Sequence, residues 1–121
     1  MKTTLCVDDS STVLLNLDAI LTKAGYIADK ALSGDEGLSM LMGGYKPDLI
    51  ITDLNMPGMN GIEFIRYVRQ HPALRFVPIL FLTTEFQQPR RAEARAAGVS
   101  GWMEKPVTGE ELLDTIKMLM G

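Results

Sequence analysis

The hydrophobic positions of the chain fall into five short apolar runs that alternate with five longer amphipathic stretches. The short runs have strand length and β-prone composition, whereas apolar positions in the longer stretches recur at helical spacing. We therefore predict strands at 3–7, 26–31, 48–52, 78–82 and 99–103, and helices at 11–24, 35–42, 62–70, 89–97 and 110–120. The order is a β-α unit repeated five times.

The runs at 48–52 and 78–82 are almost continuously apolar instead of alternating between apolar and polar residues. This pattern is typical of strands in a parallel sheet that helices cover on both faces. Gly25 and Gly98 follow predicted helices, as C-terminal caps do. The sequence thus predicts an α/β domain with a doubly wound, five-stranded parallel sheet.

Polar and charged residues follow four of the five predicted strands. Asp8 and Asp9 follow the first strand, Asp53 the third, Thr83 the fourth and Lys105 the fifth. Ligands of open parallel sheets bind beyond the carboxyl ends of the strands, so these side chains are expected to converge on one rim. Neighbouring carboxylates repel each other unless a cation neutralises them, and an oxygen-only set of ligands favours Mg²⁺. We predict a magnesium site on Asp8, Asp9 and Asp53.

Asp53 lies on a different strand from the acidic pair, so it can share the ion and still present one oxygen to an electrophile. Aspartate carboxylates act as nucleophiles towards phosphorus and form acyl phosphates. Lys105 and the Thr83 hydroxyl would supply the positioning and charge neutralisation that phosphoryl transfer needs. Taken singly, Asp9 or Asp53 is as easily explained as a helix N-cap, so the prediction depends on the whole set.

Composition narrows the range of functions. The 121 residues, of which 46% are hydrophobic, suit one domain with one core, and we expect this domain to have no output domain attached. No apolar run approaches the roughly 20 residues that cross a bilayer, and the net charge of −3 comes without a basic stripe for nucleic acid. We expect a cytoplasmic monomer that does not bind nucleic acid, with Cys6 buried and inert and His71 a solvated group without a role.

Four segments resemble the receiver domains of two-component response regulators, especially the single-domain chemotaxis (CheY-like) type. They are Cys-Val-Asp-Asp-Ser at 6–10, Asp-Leu-Asn-Met-Pro-Gly-Met-Asn-Gly at 53–61, Leu-Thr-Thr-Glu at 82–85 and Glu-Lys-Pro at 104–106. The resemblance covers essentially the whole chain. It implies the flavodoxin-like fold with strand order 2-1-3-4-5, and a switch that a histidine kinase or histidine phosphotransfer protein phosphorylates.

The resemblance also assigns roles to individual residues. Asp53 would be the phosphoacceptor, Lys105 would contact the phosphoryl group, and the Lys105–Pro106 peptide bond would be cis. Asp9, Asp53 and the backbone carbonyl of Asn55 would bind Mg²⁺ directly, whereas Asp8 would act through a metal-bound water. Such a domain catalyses only its own phosphorylation and dephosphorylation, so it is not an enzyme in the usual sense.

The resemblance makes Thr83 and the aromatic residue Trp102 the switch pair. A dianion at Asp53 would draw the Thr83 hydroxyl inward and vacate space for a side chain of the fifth strand. The family usually has tyrosine or phenylalanine where this chain has Trp102, and an aromatic residue where it has Val107. The larger indole can also be interpreted as an interfacial residue that only covers the edge of the sheet.

Two further hypotheses concern the surroundings of the rim. Asn55 and Glu85 flank the phosphoryl site and would position a water for attack, which predicts a short-lived acyl phosphate. On the first helix, Leu14 and Leu15 are predicted to dock onto the kinase's phosphotransfer helices. The buried stripe of that helix is predicted to consist of five other residues: Val13, Leu17, Ile20, Leu21 and Ala24.

Three alternative functions compete with the receiver interpretation. A magnesium-dependent phosphoaspartate phosphatase would need a second acid two residues after the nucleophile, where this chain has Asn55. A phosphorylation-independent adaptor would not need the acids, the threonine and the lysine, and no glycine-rich nucleotide-binding loop occurs. The downstream target is expected on the face of the fourth helix, fifth strand and fifth helix. A motor switch protein, a phosphorelay intermediate and a phosphate sink all remain open.

Overall fold

The computed structural model describes residues 2–84 and 88–120, although it says nothing of the side chains of Gln88 and Pro89. Within those residues the chain forms five strands, each followed by an α-helix, with a short 3₁₀ turn at Pro72–Leu74. The strands are β1 (Thr3–Val7), β2 (Ile27–Ala31), β3 (Leu49–Thr52), β4 (Ile79–Thr83) and β5 (Gly101–Glu104). The helices are α1 (Ser11–Lys23), α2 (Gly34–Met42), α3 (Gly61–Gln70), α4 (Gln88–Ala97) and α5 (Gly109–Met120).

All strand pairs are parallel, and the sheet order is β2-β1-β3-β4-β5, which confirms the predicted topology. Most predicted bounds are within one residue of those observed. The largest difference is at β5, which begins at Gly101 instead of Val99. The backbone amides of Gly98 and Val99 both bond to the Ala94 carbonyl, so the last turn of α4 continues to this point and delays the strand.

Two apolar clusters cover the two faces of the sheet, as in other doubly wound folds. The first cluster joins strand residues to α2, α3 and α4, and its largest fully buried side chains include Phe64 and Phe81. The second joins the opposite face to α1 and α5 through Leu17, Leu112 and their neighbours, and Val107 packs against it. The first cluster continues past β3 to Leu54 and Met56, which closely follow Asp53 and help to fix its backbone.

Helix α1 differs from its prediction in which side chains it buries. Leu14, Leu17 and Leu21 form the buried stripe, whereas Ala24 is exposed. These three leucines follow the 3,4 spacing of one helix face, and Leu14 is only 3% exposed in the second cluster. Leu14 therefore packs mainly in the core, and its docking to a partner stays a prediction.

The buried thiol of Cys6 is expected to be inert. Cys6 lies in β1 with no exposed surface, and burial, reinforced by the charge of Asp18, raises the pKa of its thiol to about 12. Because only the thiolate attacks thiol reagents, modification requires opening of the fold. We expect Ellman's reagent to react at least about 10³-fold more slowly with the native protein than with the protein in denaturing urea. Fast, stoichiometric release of the chromophore from the native protein would contradict this placement.

No helix in the described residues is both long enough and apolar enough to span a bilayer.

Candidate functional site

The carboxyl ends of the strands bring the predicted site residues to one rim. Val7 pairs with Thr52, so Asp8 and Asp53 leave the sheet at the same level, and the Asp53 amide donates to the Val7 carbonyl at 3.0 Å. On the other side of β3, the Lys105 amide donates to the Thr83 carbonyl at 2.9 Å. Side chains that follow β1, β3 and β5 thus meet, although Asp8 and Lys105 lie 97 residues apart along the chain.

Asp53 is held in a defined orientation at the centre of this rim. Asp53 is only 8% exposed, and one of its carboxylate oxygens, Oδ1, accepts a hydrogen bond from the Leu54 amide at 2.8 Å. Burial raises the pKa of the Asp53 carboxyl, and Asp8 adds to this effect, whereas Lys105 opposes it. A partly desolvated carboxylate with one oxygen anchored leaves the other oxygen available for chemistry.

Lys105 neutralises part of the negative charge of the rim. Its Nζ atom lies 2.7 Å from Asp8 Oδ2 and 3.6 Å from Asp53 Oδ2. The second oxygen of Asp8 accepts from the Ser10 amide at 2.9 Å, so both oxygens of this buried acid are bonded. The Lys105–Pro106 peptide bond is cis. The ammonium group therefore stands between the two buried carboxylates, where it can contact an anion bound to Asp53.

The acids of the rim fit a divalent cation. Asp8, Asp9 and Asp53 each offer an oxygen, and these oxygens lie within 4.8 Å of one another. Asp9 is exposed, so one side of the cluster opens to solvent. The only histidine in the sequence, His71, caps the end of α3 and is absent from the cluster, and the Cys6 thiol is inside the core. Such a hard, oxygen-only set suits Mg²⁺ better than Zn²⁺ or Cu²⁺.

The alternative role of Asp9 and Asp53 as helix caps does not hold. Ser10 caps α1, and its hydroxyl accepts from the Val13 amide at 3.3 Å. Asn60 caps α3 in a reciprocal capping box with Glu63. Because other residues already satisfy the first amides of these helices, capping does not explain the two aspartates.

An aromatic contact connects the rim to β5. Thr83 is fully buried at the end of β4, and Phe81, two residues earlier, pairs with Trp102 across the sheet. The rings of Phe81 and Trp102 meet edge to face, with 5.2 Å between centroids. The guanidinium of Arg91 on α4 lies 5.5 Å from the centroid of the Trp102 ring. Sequence reasoning found Thr83 and Trp102 but missed the two residues that hold the indole.

The remaining predicted residues lie around the rim. Asn55 is exposed two residues after Asp53, whereas Glu85 falls outside the described residues. Leu15 is 64% exposed on α1, and Leu32, which the sequence did not single out, is 49% exposed. These two leucines line a cavity of about 250 Å³, to which the mostly buried Leu14 contributes.

Three residues that sequence reasoning missed or dismissed have structural roles, and one of them, Gly61, lies against the site. Gly61 packs so closely that a Cβ atom would lie 2.1 Å from the Asp53 carbonyl oxygen. The Arg69 guanidinium donates to the carbonyls of Leu74, Arg75, Val77 and Gly98. His71 was given no role, but its Nδ1 atom accepts from the Ala73 amide at 3.2 Å and caps the 3₁₀ turn. The capping residue Asn60 could have indicated that Gly61 begins a helix, and Pro72 could have indicated a turn after His71. No pattern in the sequence indicated a role for Arg69.

Comparison with known proteins gives a consistent result. Residues 4–117 match the response regulator receiver domain family. Protein PilH of Pseudomonas aeruginosa is 33% identical over 120 residues, which cover 99% of this chain and 98% of that protein. The chemotaxis protein CheY of the same organism is 37% identical over 116 residues, 95% of this chain and 93% of its own length. The solved structure of the Vibrio cholerae chemotaxis protein CheY4 has a TM-score of 0.94 at 39% identity, with 98% of each chain covered.

Proposed function

This chain belongs to the response regulator receiver domain family and is therefore a phosphorylation-dependent signalling switch, and we propose that Asp53 is the residue that accepts the phosphoryl group. The observation that carries the proposal is the position of Asp53 beside the Lys105 ammonium and within the cluster it forms with Asp8 and Asp9, with one oxygen anchored by the Leu54 amide. A carboxylate oxygen of Asp53 attacks phosphorus while the P–N bond of a phosphohistidine breaks. The departing imidazole nitrogen then takes up a proton.

Asp9, Asp53 and the backbone carbonyl of Asn55 would hold the ion that the rim fits, with Asp8 acting through a bound water. When Mg²⁺ is bound, it neutralises charge on the equatorial phosphoryl oxygens. Lys105 would add a second positive charge at the phosphoryl group, because its Nζ atom already lies between Asp8 and Asp53. The protein would act on no other substrate, so the only reactions it promotes are its own phosphorylation and dephosphorylation.

The signal would leave the site through Thr83 and Trp102. A phosphoryl group on Asp53 attracts the Thr83 hydroxyl, and the space it leaves allows Trp102 to turn inward. The edge-to-face contact with Phe81 supports this role, because Phe81 lies on β4, the strand that ends in Thr83. A downstream protein would then bind the face of α4, β5 and α5 according to the position of the indole. Because several relatives are named chemotaxis proteins, we propose a cytoplasmic chemotaxis-type pathway.

The acyl phosphate is expected to be short-lived. Asn55 is exposed beside Asp53, and its polar side chain, together with Glu85, would orient a water for attack on phosphorus. After acetyl phosphate is removed in the presence of Mg²⁺, intact-mass spectra should show the phosphorylated form decaying within minutes. A phosphorylated form that persists for hours would contradict these roles.

Phosphoryl donors are proposed to be a histidine kinase or a histidine phosphotransfer protein that docks on Leu15. Leu15 and Leu32 form an exposed apolar pair around a cavity next to the start of α1, where Ser10 bonds to Asp8. Leu15→Asp should slow phosphotransfer from the cognate kinase by about tenfold, because a charge would replace an apolar contact worth about 1.4 kcal/mol.

The same variant should react normally with acetyl phosphate, since the small donor needs no docking surface. Met118→Asp is the matched control, because Met118 is 82% exposed on α5. Unchanged kinase transfer in Leu15→Asp, or equal loss in Met118→Asp, would rule out docking at Leu15.

The proposal as a whole is tested with the wild-type protein, Mg²⁺ and acetyl phosphate. Intact-mass spectrometry should show the addition of one phosphoryl group, lost in Asp53→Asn and retained in Asp114→Asn, an exposed acid on α5. Beryllofluoride should shift the fluorescence of the protein, and the shift reports on Trp102 because it is the only tryptophan in the sequence. No addition in the wild type would favour a phosphorylation-independent adaptor. Release of phosphate from unrelated phosphomonoesters would favour a phosphatase.

A further inference from the structure

We propose that Met59 is a site of oxidative modification, and that its conversion to methionine sulfoxide by a hydroperoxide slows the phosphorylation of Asp53. The inference rests on the proposed function, because it concerns the regulation of that reaction. It is carried by the contact of Met59 with the start of α2, by the closed loop that joins it to Asp53, and by its partial exposure.

Met59 packs directly on the backbone at the start of α2. A Cβ atom added to Gly34, the first residue of that helix, would lie 3.1 Å from Met59 Sδ and 3.2 Å from Met59 Cγ. Gly34 is buried, and the lack of a side chain at this position lets the thioether approach the helix closely. An oxygen atom bonded to the sulfur on this side would collide with the helix, because close-packed interiors leave no room for an added atom.

Met59 also packs against the first apolar cluster, the one that includes Leu54 and Met56. A thioether suits such surroundings because it is flexible and nearly nonpolar. A sulfoxide is polar, and its oxygen would lose hydrogen bonds to water without gaining a partner in an apolar cluster. Oxidation therefore favours a conformation in which the side chain leaves both the cluster and the helix.

The loop that carries Met59 is closed by a hydrogen bond and leads back to the phosphoacceptor. The Gly61 amide donates to the Leu54 carbonyl at 2.8 Å, and the Leu54 amide donates to Asp53 Oδ1 at 2.8 Å. The Asn55 carbonyl, which is proposed to bind Mg²⁺, lies in the same loop. A displacement of Met59 therefore acts on the residues that orient Asp53 and complete the metal site.

Met59 combines this link to the site with access to solvent. It is partly exposed, whereas Met56, in the same loop, is only 7% exposed. A small hydroperoxide therefore reaches the Met59 sulfur more readily than the Met56 sulfur. Met118 is 82% exposed and should also be oxidised, but it lies on α5, which covers the opposite face of the sheet. Oxidation of Met118 is therefore not expected to change phosphorylation.

The modification consumes one hydroperoxide for each methionine and can be reversed. A lone pair of the sulfur attacks one peroxide oxygen, the O–O bond breaks, and the sulfur is oxidised by two electrons. With hydrogen peroxide, the second oxygen leaves as water. A methionine sulfoxide reductase supplied with a dithiol restores the thioether, while the oxygen leaves as water and the dithiol becomes a disulfide. The buried thiol of Cys6 is not expected to take part in either reaction.

The test treats the full-length protein with hydrogen peroxide, removes the oxidant and then adds Mg²⁺ and acetyl phosphate. Peptide mapping by mass spectrometry gives the oxidised fraction at each methionine, and intact-mass spectra give the initial rate of phosphorylation. Protein oxidised at Met59 should be phosphorylated about tenfold more slowly, because a shift of about 1 Å at a reacting group can cost about 100-fold in rate. Treatment with methionine sulfoxide reductases and dithiothreitol should restore the rate.

Variants separate Met59 from the other methionines. Met59→Leu keeps an apolar side chain of similar volume, so its rate before and after peroxide should agree within about twofold. Met118→Leu is the matched control and should lose activity on oxidation as the wild type does. Met59→Gln places a polar side chain in the same contacts and should slow phosphorylation without oxidant, while circular dichroism shows whether it is folded. A normal rate in a folded Met59→Gln protein would contradict the inference.

The untreated wild type distinguishes the modification site from the proposed function. If it is phosphorylated normally, three results would each overturn only the modification site: Met59 resists peroxide, protein oxidised at Met59 keeps its rate, or Met56→Leu protects the protein and Met59→Leu does not. If the untreated wild type accepts no phosphoryl group, the proposed function itself is overturned.

Discussion

Replacing Gly61 with alanine is expected to reduce the free energy of unfolding by about 2 kcal/mol or more. Gly61 is buried at the first position of α3, where a Cβ atom would lie 2.1 Å from the Asp53 carbonyl oxygen and 2.7 Å from the Phe81 ring. Alanine would gain about 1 kcal/mol in helix propensity, but a clash with backbone costs about 3 kcal/mol. The steric cost outweighs the gain, because the backbone of Asp53 is tied to β1 and cannot yield easily.

The same substitution should impair phosphorylation of the protein that remains folded, since relief of the clash must move either Asp53 or Phe81. Urea denaturation followed by circular dichroism measures the loss of stability. Gly109→Ala is the control, because the atom nearest to the added methyl group would be a side-chain carbon of Ile20, at 3.6 Å. Equal stability of Gly61→Ala and the wild type would show that α3 leaves room for a methyl group beside the Asp53 carbonyl.

Replacing Arg69 with alanine is expected to destabilise the protein by about 3 kcal/mol. The guanidinium donates five hydrogen bonds, two of them to the Gly98 carbonyl and one, at 2.6 Å, to the Val77 carbonyl. It therefore joins the end of α4 to the loop that enters β4. Its partial burial lowers the pKa of Arg69, but the group remains charged. Hydrogen bonds from a charged donor contribute about 1.5–3 kcal/mol each, and water would replace part of them in the variant.

Arg69→Lys should recover only part of this loss, because an ammonium group cannot reach carbonyls on both sides as a planar guanidinium does. Arg66→Ala, which removes an exposed arginine one turn earlier, should change the stability by less than about 0.5 kcal/mol. Hydrogen exchange gives a second measurement, since the amides of Gly98 and Val99 should lose protection first. An Arg69→Ala protein as stable as the wild type would contradict the bridging role.

The sequence was sufficient to predict the fold because its apolar runs carry the periods of strands and helices. The parallel order places the ends of β1, β3, β4 and β5 together, so Asp8, Asp53 and Lys105 could be grouped before any distance was known. Some predicted helix bounds are in error by one residue, since a cap residue such as Asn60 has near neighbours of similar capping ability.

What the sequence could not supply depends on contacts between distant segments. Leu14 and Leu15 are adjacent and chemically identical, so only packing shows that one is in the core and the other is exposed. The reach of Arg69 to Gly98 spans 29 residues, and no local pattern marks it. Phe81 was predicted as a strand residue, but its edge-to-face contact with Trp102 follows from the register between β4 and β5.

The most direct measurement of the central claim identifies the phosphorylated atom by chemistry. Sodium borohydride reduces an acyl phosphate to the corresponding alcohol and leaves free carboxylates intact, so a phosphorylated aspartate becomes homoserine. The wild-type protein is treated with Mg²⁺ and a phosphorylated histidine kinase or acetyl phosphate, reduced, digested and sequenced by mass spectrometry. We expect homoserine at position 53 alone, and none when Mg²⁺ is chelated. Homoserine at position 8 or 9, or an unmodified Asp53 in a protein that has gained a phosphoryl group, would contradict the account.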